Sequence, residues 1–79
     1  MEQMRSQIAP IHPLITEREK QVLKLIAYEY STREIASELF VSYDTALSHR
    51  KNLLRKMAVK NVAGLVRVAF EQGFLRAAI

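Results

Sequence analysis

The chain has 79 residues, 49% of them hydrophobic, enough for one small domain with a packed core. It has no cysteine, which excludes disulfides and thiolate metal sites; no apolar run approaches the roughly 20 residues of a membrane span, and no apolar stretch follows Glu2 and Arg5 as a signal peptide requires. The net charge of +4 is unevenly spread: residues 1–44 carry five Lys/Arg against seven Asp/Glu, residues 45–79 seven against one, a balance that suits a polyanion but is also ordinary for a solvated helix face.

Residues 1–13 lack a hydrophobic period and contain Pro10 and Pro13, and read as a flexible tail or linker end. The folded domain is expected from Leu14 to residue 79. Thr16-Glu17-Arg18-Glu19 is a capping-box pattern, and Val22, Leu23 and Ile26 follow at helical spacing, predicting a first helix over 17–28. Ser31-Thr32-Arg33-Glu34 repeats the box and predicts a second helix over 32–39, with Ile35, Ala36 and Leu39 inward. Phe40 and Val41 are too apolar for an idle loop and are expected to plug the corner before the third helix.

Ser42 is the expected cap of that third helix, over 43–57, and Asp44 in its first turn complements the helix dipole. Ala46, Leu53 and Met57 form an inner stripe flanked by Arg50, whereas Asp44, Leu47, Ser48, Lys51 and Arg55 follow the opposite side. From Thr45 to Lys60 there are five basic residues and no acid. Asn61 can cap a fourth helix over 62–72, with Val62, Leu65, Val66 and Ala69 inward and Gly73 as its stop. The fold class expected is all-α, a four-helix domain whose second and third helices form a helix-turn-helix.

No nucleophile–base pair, Gly-rich phosphate loop or metal-ligand spacing appears, so no enzymatic activity, cofactor or metal is expected. Glu17 and Glu19 are acids at a positive helix end, not a catalytic pair.

Thr16-Glu17-Arg18-Glu19, Val22-Leu23, Ser31 to Ala36, Leu39-Phe40-Val41-Ser42, Thr45, His49 and Leu54-Arg55-Lys56-Met57 together resemble the LuxR-type (GerE-like) helix-turn-helix domain. The resemblance runs from about Leu14 to Phe70. It implies a cytoplasmic bacterial transcription regulator whose third helix enters the major groove of double-stranded DNA and whose fourth mediates homodimerisation, with RNA polymerase as a further partner and no membrane. Many members carry the domain behind a receiver or ligand-binding domain, so the chain is either a stand-alone regulator or an output domain. It departs from the family at Ala46, where Val is common, and at Leu47, where Lys is common.

Leu47, Ser48 and Lys51 are the candidate base contacts: Ser addresses several base edges, Lys donates to guanine acceptors, and Leu47 offers apolar surface to a thymine methyl. Tyr43, Thr45, His49, Arg50, Arg55 and Lys56 are the candidate backbone contacts. Thr45 equally fits a bond to its own backbone, His49 a packing role, and Lys56 a solvated position. Ala63, Arg67 and Phe70 share a row beside the core stripe of the fourth helix and are the candidate dimer contacts. The competing reading is a helical protein-interaction adaptor of the same fold, with Leu47 and Phe70 as partner surface.

Overall fold

Every described helix starts at a side chain that takes up an otherwise orphaned backbone amide. In the computed structural model, which describes residues 15–75, these helices are α1 Glu17–Ala27, α2 Thr32–Leu39, α3 Tyr43–Lys56 and α4 Val62–Glu71, with no strand among the described residues. Residues 1–14 and 76–79, and with them the expected tail, lie outside the described residues. The Thr16 hydroxyl accepts from the Glu19 amide and the Glu19 carboxylate from the Thr16 amide, both at 3.0 Å. Ser31 and Glu34 make the same reciprocal pair at 3.1 and 2.8 Å. Ser42 accepts from the Thr45 amide and Asn61 from the Gly64 amide, each at 3.0 Å. Such caps are each worth about 1 kcal/mol. Three helices stop one residue short of the expected ends because Tyr28, Met57 and Gln72 act as caps: their amides still bond back into the helix.

The helix ends share a second device that only Gly73 announces in the sequence. Glu29, Phe40, Ala58 and Gly73 all take left-handed backbone, with φ of 69°, 56°, 58° and 85°. Each donates to the carbonyl three residues back, and the following residue donates to the carbonyl five residues before it, as in Tyr30 to Leu25, Val41 to Ala36, Val59 to Leu54 and Phe74 to Ala69. A non-glycine residue in this region costs roughly 1–2 kcal/mol, offset here by two satisfied carbonyls. The same geometry corrects the expectation for Phe40. Left-handed backbone turns its ring outward, leaving it 94% exposed, while Val41 alone packs against the core.

The core joins Ile15, Val22, Leu23 and Ile26 to Ile35 and Ala36, Ala46, Leu53 and Met57, and Leu65 and Ala69. Leu39, Val62 and Val66, expected inside, are half-buried at its rim. Helices α1 and α3 each pack against all the other described helices, and α3 makes the most extensive contacts, so its inner stripe is the hub of the domain. Each fully buried aliphatic side chain contributes about 1.5–3 kcal/mol.

One charged pair crosses this hub. Glu19 is 3% exposed, and the Lys56 ammonium lies 2.9 and 3.0 Å from its two carboxylate oxygens. The start of α1 is thereby fastened to the last turn of α3. Burial pushes the Glu19 carboxyl up, but the Thr16 backbone amide and the Lys56 ammonium outweigh it and hold the pKa below its ordinary 4.5.

Ala58→Gly relieves left-handed strain without removing a contact from the core, and is expected to raise the unfolding free energy by about 1 kcal/mol in urea titrations. Glu19→Ala leaves Lys56 without its carboxylate and the Thr16 amide without its acceptor, and should cost about 2–4 kcal/mol at neutral pH. Because the folded-state pKa lies below the unfolded one, this contribution is complete above 4.5 and fades as pH falls through the lower folded value. The stability gap between wild type and Glu19→Ala should therefore narrow in acid; a gap independent of pH would show that the charge is not what binds the two helices.

Candidate nucleic-acid interface

Helices α2 and α3 are joined by only Phe40, Val41 and Ser42, the tight corner of a helix-turn-helix. With Ala46, Leu53 and Met57 sealed in the core, the opposite side of α3 is left to solvent. Asp44, Ser48, Lys51 and Arg55 lie along it, all exposed, at the spacing of one helical face. Tyr43 and Thr45 are exposed at its N-terminal end. Leu47, His49 and Arg50 are half-buried along its margins. Of the three candidate base contacts, Ser48 and Lys51 thus stand fully out, and Leu47 presents part of its side chain.

The local hydrogen bonds determine what this face presents. The Ser42 hydroxyl donates to the Thr45 hydroxyl at 2.9 Å, so Thr45 is tied to the cap, with its own proton left to donate elsewhere. The Arg55 guanidinium donates to the Asn52 side-chain carbonyl at 3.1 Å, a neutral partner that orients the group and leaves its charge intact. Lys56, a candidate backbone contact, is turned toward Glu19. Its ammonium is bound to Glu19, and the cationic face rests on Lys51 and Arg55 with Arg50 beside them. The inward turn of Lys56 is invisible in a helical wheel, because its partner is 37 residues away.

Sequence spacing also passed over Arg33. It is exposed near the start of α2, and its guanidinium lies 5.8 Å from the centre of the Tyr43 ring. Its place inside the Ser31–Glu34 capping box gave it a purely local meaning in the sequence.

A second exposed surface lies on α4. Ala63, Arg67 and Phe70 are all exposed, Phe70 by 45%. Arg67 is paired with Glu71 at 3.0 Å, so this row is close to neutral. Phe70 borders a groove of about 420 Å³ between α1 and α4, lined also by Lys24, Tyr28, Val66 and Phe74. No described helix is long and apolar enough to cross a membrane.

Comparison with known sequences bears directly on this arrangement. The profile of the bacterial regulatory proteins of the luxR family (GerE) matches residues 13–69. The chain is 46% identical over 48 residues to the spore germination protein GerE of Bacillus subtilis, an alignment covering 61% of this chain and 65% of that protein. It is 41% identical over 61 residues to the transcriptional regulatory protein MctR of Rhizobium johnstonii, covering 77% and 28%. It is 34% identical over 76 residues to the response regulator protein VraR of Staphylococcus saprophyticus, covering 96% and 36%. The chain therefore spans less than two thirds of the length of each of these relatives.

Proposed function

Since the chain belongs to the luxR family of bacterial regulatory proteins, we propose that it regulates transcription by binding double-stranded DNA, with α3 in the major groove. The observation that carries this reading is the division of α3 into an inner stripe sealed in the core and an outer face bearing Lys51 and Arg55. A rigidly seated helix with cations and small polar groups outward is the shape and charge that a major groove admits. Ser48 and Lys51 are the base contacts in this arrangement, with Leu47 against a thymine methyl. Tyr43, Thr45, Arg50 and Arg55 act on the sugar-phosphate backbone, and His49 braces α3 at its margin.

Two copies meet through α4 when they occupy adjacent half-sites, about 10 bp apart or a multiple of that. Phe70 supplies the apolar surface for the contact, and Glu71 offsets the repulsion that paired Arg67 side chains would bring. RNA polymerase is the protein partner through which a DNA-bound regulator of this kind acts, and the cytoplasm is its compartment.

A salt titration of binding to random duplex DNA tests the reading. Affinity should fall steeply with salt, with a slope of about 0.9 per phosphate contacted. Salt-insensitive or absent binding would instead favour the same fold serving as a protein-interaction adaptor. On a duplex recovered by selection from random sequences, Lys51→Ala should cost about 1–3 kcal/mol and relax the preference at one base position, whereas Arg55→Ala should weaken all sequences alike. Equal losses on selected and random duplexes would remove Lys51 from the bases. Phe70→Glu should abolish cooperativity on a two-half-site duplex and leave single-half-site affinity unchanged; intact cooperativity would exclude α4 from the dimer.

A further inference from the structure

We propose that Arg33 and Tyr43 form a single phosphate-binding unit on the DNA backbone, in which the Tyr43 ring holds the Arg33 guanidinium in position for the phosphate. The inference rests on the DNA-binding reading above and adds to it a cation outside α3.

Three cations among the described residues are turned onto carboxylates. Lys20 lies 3.3 Å from Glu17, Lys56 2.9 Å from Glu19 and Arg67 3.0 Å from Glu71. Arg33 differs. No carboxylate among the described residues pairs with it, and the acid next to it, Glu34, is engaged by the Ser31 amide at 2.8 Å. Its guanidinium instead lies 5.8 Å from the centre of an aromatic ring. A ring orients a cation without neutralising it. Arg33 thus keeps its full charge, and the ring favours rotamers that hold the guanidinium above it.

The place of this pair gives the charge its target. Tyr43 is the first residue of α3 and Arg33 the second of α2, so the contact bridges the starts of both helices of the helix-turn-helix. When the second helix of such a motif lies in the major groove, the first crosses the phosphate backbone beside it. A guanidinium set there, near the positive end of α2, can meet two phosphate oxygens with its planar fork. In this assignment Tyr43 acts on Arg33 through its ring.

The test uses the full chain and a random-sequence duplex, with affinity followed across salt concentrations for wild type, Arg33→Ala, Tyr43→Phe, Tyr43→Leu and the Arg33→Ala/Tyr43→Leu double variant. Arg33→Ala should lower the salt slope by about 0.9, the loss of one phosphate contact. Tyr43→Phe, which keeps the ring, should lose less affinity than Tyr43→Leu. Tyr43→Leu should weaken binding several-fold, and the double variant should bind no more weakly than Arg33→Ala alone. An unchanged slope in Arg33→Ala, or equal losses in Tyr43→Phe and Tyr43→Leu, overturns the proposal while the wild-type slope still upholds DNA binding. Absence of salt-dependent binding by the wild type overturns both.

Discussion

The seating of α3 depends on a carboxylate that is almost out of water. Glu19 closes the first turn of α1 through Thr16 and, with the same carboxylate, receives the Lys56 ammonium from the last turn of α3. Withdrawing such a charge from water is costly, and only the combined donation from a backbone amide and an ammonium makes it sustainable. An apolar contact in the same place would tolerate sliding and rotation. A charged pair with fixed donors does not, because any displacement leaves a buried charge short of its partners. The pair thus adds a fixed constraint, on the flank of the helix, to the rotation of α3 that its buried stripe sets. The pair also redistributes charge. Lys56 serves the interior, so the outer face depends on fewer cations than the basic run from Thr45 to Lys60 implies.

Short connections between the helices follow from how the helices end. In each described helix a left-handed residue reverses the chain and satisfies carbonyls that would otherwise stay unpaired. At the corner between α2 and α3 this leaves Val41 facing the core and Phe40 facing solvent. An aromatic ring there contributes nothing to the packing of the described residues, and its exposure follows from the backbone turn alone. The terminus of α4 uses a glycine for the same task, at no steric cost.

The α3 and α4 surfaces have different chemistry. The α3 face carries unpaired or neutrally partnered cations, suited to an anionic partner over a wide range of approach. The α4 row offers a half-exposed phenyl ring next to a charge pair that cancels itself, suited to a short-range contact of modest strength. A weak contact of this kind would suit the proposed DNA-bound dimer, because two copies bound side by side would supply the local concentration that a weak interface lacks.

The capping residues Thr16, Ser31, Ser42 and Asn61, together with the apolar spacing, were enough to place all four helices to within a residue, because a cap and its amide lie three residues apart and the signal is wholly local. The inner and outer sides of α3 were legible for the same reason: Ala46, Leu53 and Met57 share a face by helical geometry whatever they pack against. Partnership across the fold was not legible. Lys56 reads as one more outward cation until α1 brings Glu19 against it, and Arg33 reads as part of a cap until the turn brings Tyr43 beneath it. Nor could the sequence foresee left-handed backbone at Glu29, Phe40 and Ala58, since no residue type there prefers it. Periodicity and caps determined where the helices lie and which way each faces. The tertiary structure alone decided which charges remain for a partner, because an ion pair depends on separation in space, and sequence distance does not encode that.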